Sequence, residues 1–299
     1  MSDPAPSTAR LDGGDIPLAA ERRLAAMRSE GGAYTSDLSA SDFALCHQLG
    51  MRPLAQVMGS SVYQVGYQAA YPGLMGSRGP VFAGGLIREL DTLTDAWNEA
   101  RDRALHRLAR EAEVLGADAV VGVQISTAGR DYGEAAAGSG LIEYAVIGTA
   151  VARDAGDRRA GPVLTELSVA DYAKLIAAGV EPRGIAAWSS VCYADYGYAT
   201  AARAQTGLLS GGSESFELRE FTGAIYAARE QVMTRMGAQA QALGASGMVG
   251  VRISHQMRRL AVGQSSRVGL QVTFHAIGTA IDERAAEVRQ APRPVLGLP

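Results

Sequence analysis

A long amphipathic pattern, then a glycine and a short apolar run, dominates residues 89–126. Apolar side chains recur there at spacings of three and four, the period of one helix face, and predict a helix of about 26 residues. Gly116 stands where a helix C-cap is expected, and the alternation in 119–125 predicts a strand. The positions of this apolar stripe are Leu90, Leu93, Trp97, Ala100, Ala104, Leu105, Leu108, Ala112 and Leu115.

The same pattern occurs a second time. Residues 217–254 align with 89–126 without a gap, 128 positions downstream. Since a chain of 299 residues is also too long for one small core, we expect two tandem domains. Every stripe position stays apolar in the second copy, as Leu218, Phe221, Ile225, Ala228, Val232, Met233, Met236, Ala240 and Leu243.

The sequence around the two predicted helices divides the chain into five segments. Each repeat is expected to run strand, long helix, strand, strand, with a short extra helix before its first strand. The predicted segments are an N-terminal arm at 1–36, largely disordered or with one short helix, a first unit at 37–152, a linker at 153–166, a second unit at 167–281 and a disordered tail at 282–299.

The composition is that of an ordinary globular protein. Charged residues make up 20% of the chain, apolar residues 47%, and the net charge is −3, so the basic excess of a nucleic-acid binder is missing. The N-terminus does not have the pattern of a signal peptide, and no apolar run is long enough for a membrane span. With two cysteines only, Cys46 and Cys192, we expect a cytoplasmic protein without a disulfide framework.

Four polar positions of the helical pattern are kept in both copies. Arg101 follows a stripe residue, at the edge of the apolar face, where an arginine is expected to bridge to a neighbouring strand or subunit rather than to a substrate. Glu89 is expected in the first helical turn, where a carboxylate favours the positive end of the helix dipole. We expect structural or interface roles for Glu89, Thr94, Arg101 and Arg107 and for their repeats Glu217, Thr222, Arg229 and Arg235.

This combination of motifs resembles the YbjQ-like family of bacterial proteins, often labelled "putative heavy-metal-binding" domains. The resemblance covers about 90 residues of each repeat. The residues that carry it in the first repeat are Thr94, Ala100, Arg101, Arg107, Leu115-Gly116-Ala117, Val121-Gly122-Val123 and Ile147-Gly148-Thr149-Ala150, and the second repeat has counterparts.

The resemblance implies an α+β fold, a tandem of two units with an antiparallel sheet each, related in shape to dodecins. It also implies assembly, because family members form pentameric rings. The tandem arrangement differs from the single family unit, and five chains with ten units would fit the family pattern.

Metal binding, which the family label implies, is poorly supported by the residues. No two of the four histidines are spaced as a helical metal pair, and there is no C-x2-C motif. Cys46 and His47 are adjacent, but their counterparts in the second repeat are Leu175 and Ile176. We therefore expect no cofactor, and a metal site assembled between subunits stays open as an alternative.

Catalytic motifs are also missing from the sequence. There is no G-x-S-x-G, no P-loop and no acidic pair that occurs in both repeats. The glycine-rich loops 71–86 and 199–216 have neither the G-x-G-x-x-G spacing nor a lysine for phosphate binding. We therefore do not expect an enzyme.

The sequence favours a non-enzymatic, homo-oligomeric, ring-like assembly or scaffold protein. Its main predicted partner is itself, and another protein bound through the N- or C-terminal arm is an additional option. The alternative function is metal-ion or small-ligand binding at sites between subunits, lined by Tyr63, Tyr67, Tyr196 and the glycine-rich loops.

Overall fold

The fold is described here from a computed structural model. It describes residues 10–11, 14–28, 35–65, 87–131, 140–153, 161–195, 197, 200, 215–261 and 268–283. The helices are α1 (Leu18–Arg28), α2 (Ala40–Gln48), α3 (Asp91–Leu115), α4 (Val169–Ala177) and α5 (Arg219–Ala242). The strands are β1 (Met51–Val65), β2 (Ile87–Glu89), β3 (Ala119–Asp131), β4 (Gly140–Arg153), β5 (Val163–Leu164), β6 (Glu181–Asp195), β7 (Gly247–Ala261) and β8 (Val268–Asp282).

Two sheets, antiparallel except for the short parallel pair of β3 and β5, confirm the predicted α+β class and the tandem repeat. The first sheet has the strand order β1-β4-β3-β5, and the second has the order β2-β6-β8-β7. We call β1, β3, β4, α2 and α3 unit 1, and β6, β7, β8, α4 and α5 unit 2. The expected order of strand, long helix, strand, strand holds in both units, and α2 and α4 are the short extra helices.

Local sequence signals explain where the helices begin and end. The Ser39 hydroxyl accepts the backbone N–H of Asp42 at the start of α2, and Ser168 accepts that of Asp171 at the start of α4. Gly116 caps α3 in the left-handed conformation, with φ of 71°, as its position after the stripe predicts.

The long helices pack on their sheets at different separations. At Gly59 of β1 a Cβ atom would lie 1.9 Å from the Ala104 carbonyl oxygen, so α3 touches the backbone of its sheet. Unit 2 has Trp188 at the equivalent position, packed against the core under α5. The close approach in unit 1 therefore depends on a glycine that unit 2 lacks.

Two short strands cross from one half of the chain to the sheet of the other. β2, directly before α3, pairs antiparallel with β6 of unit 2, and β5 pairs parallel with β3 of unit 1. β5 lies inside the segment that the sequence interpretation assigns to the linker, because the edge of β3 offers unpaired backbone groups that an extended segment can bind. The predicted unit boundaries otherwise stay a prediction.

The helix α1 of the N-terminal arm lies along α3. Ile16 and Leu24 are fully buried in the core of unit 1. The Arg23 guanidinium lies 2.7 Å from the Glu111 carboxylate, and Arg28 donates to the carbonyl oxygen of Val114. Within the described residues, no helix is long and apolar enough to cross a membrane.

Candidate functional site

Among the described residues, a network of buried polar side chains lies where the two units meet. α3 packs between two sheets: Ala104 and Leu108 face its own sheet, and Val191 and Tyr193 of β6 belong to the same buried cluster. A helix with a sheet on each side has little exposed surface left. It therefore buries polar side chains as well as its apolar stripe.

Asn98 of α3 binds the backbone of β6. Its amide nitrogen donates to the Ser189 carbonyl oxygen at 2.8 Å, and its amide oxygen accepts the Ser189 N–H at 3.0 Å. One turn earlier, the Thr94 hydroxyl accepts the Val191 N–H at 2.9 Å, and the Leu90 N–H donates to the Val191 carbonyl oxygen at 2.7 Å. β2 forms backbone hydrogen bonds to β6, and the side chains of α3 bind the next residues along the same strand.

The structure places two predicted residues, Glu89 and Arg101, in this junction. The Glu89 carboxylate accepts the hydroxyls of Thr94 at 3.2 Å and Ser190 at 2.9 Å, which ties β2 to α3 and to β6. Arg101 is 2% exposed, donates to the Asn98 amide oxygen, and its guanidinium lies 5.5 Å from the Trp188 ring centre. Both residues contact the two units. Glu89 lies in β2, before the helix begins at Asp91, and not in the first helical turn as the sequence predicts.

The other predicted residues are more dispersed. Arg107 donates to the carbonyl oxygens of Ser60 at 2.6 Å and Leu11 at 3.0 Å, within unit 1 and its arm. In unit 2, the Glu217 carboxylate accepts the Thr222 hydroxyl at 2.9 Å.

Arg229 is exposed, whereas the guanidinium of Arg235 lies 5.7 Å from the Trp188 ring centre. Tyr63 lies 5.9 Å from the Arg103 guanidinium. Tyr67 and Tyr196 lie outside the described residues, as does most of the two glycine-rich loops, so the tyrosine-lined site stays a prediction.

A second contact between the units is a strand addition. In β3, Gly122 and Val123 lie at a bulge, where the register with β4 shifts, and Gly122 has φ of 64°. The bulge directs both of their N–H groups outward, to the carbonyl oxygens of Leu167 at 2.9 Å and Thr165 at 3.0 Å. In return, Thr165 donates its own N–H to the Val120 carbonyl oxygen at 2.9 Å.

Apolar side chains cover the strand addition. Val169 and Tyr172 of α4 pack on Val121 and Val151 of unit 1, next to Cys46 of α2. All five are nearly inaccessible to solvent. The contact therefore has a buried apolar centre beside a backbone ladder, which is the usual composition of a specific protein interface.

A cleft of about 580 Å³ opens beside the junction. His275 lies in it, with Nδ1 at 2.8 Å from the Ser189 hydroxyl and its ring in edge contact with Trp97. Burial, and then the nearby Arg101 charge, lower the pKa of His275 to about 4, so the ring is neutral at pH 7. Its Nε2 is buried and has no hydrogen-bond partner.

Glu166 lies on the other wall of this cleft. One carboxylate oxygen accepts from the Arg252 guanidinium at 2.8 Å, and the other is buried without a hydrogen-bond partner. Burial raises the pKa of this carboxyl group, and Arg252 acts in the opposite direction. A small polar molecule that enters the cleft would therefore meet the neutral imidazole of His275 and the carboxyl group of Glu166.

Comparison with known proteins places this architecture in a family. A family model described as "putative heavy-metal-binding" and named YbjQ matches the chain twice, at residues 81–154 and 207–283. The chain belongs to the YbjQ-like family. The two matches confirm the resemblance and the duplication that the sequence predicts.

Two relatives show how far the likeness extends. A Mycobacterium tuberculosis protein named encapsulin nanocompartment protein is 34% identical over 288 residues, which are 94% of this chain and 97% of the relative. A UPF0145 protein of Thermosipho melanesiensis is 44% identical over 63 residues, which are 21% of this chain and 52% of that relative. No solved structure matches the chain significantly.

The residues do not fit the heavy metal in the family's description. Within the described parts of the chain, no three His, Cys, Asp or Glu side chains are grouped as metal ligands. Cys46 and Cys192 are buried free thiols, and burial raises the pKa of each to about 11, so neither is a thiolate at neutral pH. The two thiols also lie in different buried clusters, so they do not form a pair of ligands for one ion.

Sequence reasoning missed several residues that build the junction. Asn98 and His275 stand where the other repeat has Tyr226 and Ala145, so the search for shared polar residues passed over them. Glu166 corresponds to Asp37, but both acids lie outside the aligned helical pattern that was searched. Ser189 and Ser190 do have counterparts, Ser60 and Ser61, but a serine pair in a strand carries no specific signal.

Proposed function

We propose that this YbjQ-like chain is a non-enzymatic assembly protein whose copies join head to tail into a ring-like homo-oligomer. The observation that carries the proposal is the contact between the two units. Homologous units meet there through different surfaces, so the contact is heterologous. Heterologous contacts leave one unused surface at each end and therefore generate closed rings or filaments.

The two surfaces can be defined by residues. The back of unit 1 is α3 together with β3, and the front of unit 2 is β6 together with residues 161–172, which precede α4 and form its first turn. The equivalent front of unit 1 is β1 with residues 35–43, and the equivalent back of unit 2 is α5 with β7. Within the chain, Leu38 and Leu45 beside the front of unit 1 reach the cluster of Val169 and Tyr172, and α5 touches β2. The exposed remainder of both surfaces is available to a neighbour.

The comparisons support an assembly role. A relative that matches nearly the whole chain is named encapsulin nanocompartment protein, a name that describes an assembly. We propose a pentameric ring of chains. If every unit binds one neighbour on each side, a ring of two-unit chains contains an even number of units, and a ring of five single units cannot be made from whole chains.

Size measurement tests this function. Light scattering after size exclusion should give a mass that is a whole multiple of 31.2 kDa at micromolar concentration, and a five-fold multiple for the pentameric ring. A monomer under these conditions would refute the proposal. A different multiple would support the proposed assembly but with another number of subunits.

A second candidate function is the binding of a small polar ligand in the junction cleft. It is favoured by one observation, the two buried polar atoms without hydrogen-bond partners, Nε2 of His275 and a carboxylate oxygen of Glu166, around a cleft of about 580 Å³. Native mass spectrometry of the purified assembly tests it. A mass excess that disappears in the His275→Phe variant supports a ligand, and an unmodified mass in the parent argues against one.

A further inference from the structure

We infer that a second copy of this chain docks the front of its unit 1 on the back of unit 2, in the register that joins the two units within one chain. This inference rests on the proposed assembly and adds the two surfaces and their hydrogen bonds. Repeat equivalence supplies the geometry: positions on the front of unit 2 lie 129 residues after those of unit 1, and positions on the two backs lie 128 apart.

Exposure of the two fronts differs as this docking requires. Val191 of β6, against α3, is fully buried, whereas its counterpart Val62 of β1 is 65% exposed. Tyr172 of α4 is 3% exposed and its counterpart Phe43 of α2 is 36% exposed. β1 alternates buried and exposed side chains along most of its length, while most of β6 is buried on both faces. The uncovered face of β1, with the exposed apolar side chains Met58 and Val62, is therefore the copy of a face that is covered on β6.

The two backs differ in the same way. Asn98 of α3 is 5% exposed, and its counterpart Tyr226 of α5 is 66% exposed. Val123 of β3 is fully buried, and its counterpart Val251 of β7 is accessible, as is Ile253 two residues later. Large apolar side chains without a cover thus occur on one front and one back, at the positions that are covered in the contact within the chain.

Backbone groups on the back of unit 2 are ready for a strand addition. Gly250 has φ of 66° and Val251 follows it, both in a bulge where the register between β7 and β8 shifts. This is the conformation with which Gly122 and Val123 direct their N–H groups to the segment before α4. The V-G-V motif, shared by both units, is therefore a docking element for the front of a neighbouring unit.

The segment that would bind there is already held in place on the front of unit 1. Leu38 donates its N–H to the Ser36 hydroxyl at 3.2 Å, as Leu167 does to Thr165 at 3.1 Å. The Thr35 carbonyl oxygen accepts the N–H of Gln56 in β1. Since neighbouring residues of an extended segment direct their backbone groups to opposite sides, Ser36 turns its N–H and C=O away from β1.

The register follows from the contact within the chain. The Ser36 N–H should donate to the Met248 carbonyl oxygen of the neighbouring copy, Val251 N–H to the Ser36 carbonyl oxygen, and Gly250 N–H to that of Leu38. Strand addition at a sheet edge provides affinity through such backbone bonds, and side chains beside it provide specificity. Here Tyr226 replaces Asn98, so the contact between copies is more apolar than the one within the chain.

Disulfide trapping tests this register. Val120 and Leu164 are Cα partners in the β3–β5 pairing, and repeat equivalence makes Met248 the partner of Thr35 in the neighbouring copy. Parallel partners lie within the Cα separation that a disulfide needs. The double variant Thr35→Cys, Met248→Cys should form a ladder of covalent multimers on oxidation, and Val120→Cys, Leu164→Cys should form a bridge within one chain as the matched control.

Mixing separates a heterologous contact from a symmetric one. Single Thr35→Cys and single Met248→Cys chains, mixed and oxidised, should give covalent dimers only, and neither single variant alone should cross-link. Covalent dimers of one single variant alone would overturn the inference, because they indicate a symmetric contact. A parent that assembles while the double variant stays uncross-linked, with the control bridge formed, overturns the register but leaves the assembly function intact. A monomeric parent would overturn both the register and the proposed assembly function.

Charge insertion tests the surfaces independently of oxidation. Val62→Glu on the front of unit 1 and Val251→Glu on the back of unit 2 should each shift the particle mass toward 31.2 kDa, since each buries a carboxylate in the docked contact. Ile176→Glu is the control: Ile176 of α4 stays 43% exposed although the front of unit 2 is docked within the chain, so this helix position lies outside the contact. Assemblies of parental size in both charged variants would refute the inference.

Discussion

The two long helices have the same apolar stripe but different surroundings. α3 buries the polar residues Thr94, Asn98 and Arg101, because the sheet of unit 2 covers the side that does not face its own sheet. α5 buries only residues of its stripe side, and its counterparts of Asn98 and Arg101 are exposed. The burial of a polar residue here is decided by the neighbouring unit, not by the helix that carries it.

The largest expected difference between the two units is at Gly59. Gly59→Val should lower the free energy of unfolding by about 3 kcal/mol or more, because any Cβ there meets the backbone of α3, which cannot move aside as a side chain can. Unit 2 carries Trp188 at this position without conflict. Chemical denaturation measures the effect, and a loss below about 1 kcal/mol would mean that α3 shifts freely on its sheet.

The second effect in size is a dependence of stability on pH that comes from His275 of unit 2, whose counterpart in unit 1 is Ala145. His275 has a pKa near 4 in the fold against an ordinary value of 6.5. Between these values the unfolded chain takes up a proton that the folded chain does not. Stability should therefore fall as pH decreases from 6.5 to 4, by up to about 3 kcal/mol from this group.

Variants isolate that contribution of His275. The raised pKa of Glu166 acts with the opposite sign, because a carboxyl group that protonates more easily in the fold stabilises the fold at low pH. Unfolding curves of the parent and of His275→Gln at pH 7 and pH 4.5 remove the Glu166 contribution by difference. His255→Gln, an exposed histidine on β7, is the control. Equal acid sensitivity of the parent and His275→Gln would refute the prediction.

The third prediction concerns the amide that joins α3 to β6. Asn98→Leu should cost about 2 kcal/mol, because both backbone groups of the buried Ser189 lose their partner. The same change at the counterpart, Tyr226→Leu, should alter the unfolding of the dissociated chain by less than about 0.5 kcal/mol. Denaturation of both variants in the dissociated state tests the pair. Equal losses would show that the junction does not depend on Asn98.

The sequence predicts the frame of this molecule better than its junction. The stripe, the cap at Gly116 and the two sheets follow from local periodicity and turn chemistry. The same signals occur in both repeats, which strengthens the prediction. β2 and β5 could not be predicted, because three- and two-residue strands exist only through the edge that they pair with. His275 and Glu166 owe their environment to residues far away in the chain, such as Arg101 and Arg252, and no local pattern indicates such contacts.

The smallest expected effect comes from a substitution in α5, the helix that the other unit leaves uncovered. Gly237 lies inside α5, and a Cβ there meets no atom within 4 Å. Gly237→Ala should therefore raise the free energy of unfolding by about 0.5 to 1 kcal/mol, because alanine loses less backbone entropy in a helix. A thermal midpoint that rises without a change in particle mass would agree with this. A loss of stability would indicate that this side of α5 has a close neighbour in the assembly, which would place a further contact beyond the docking inferred from the two fronts and backs.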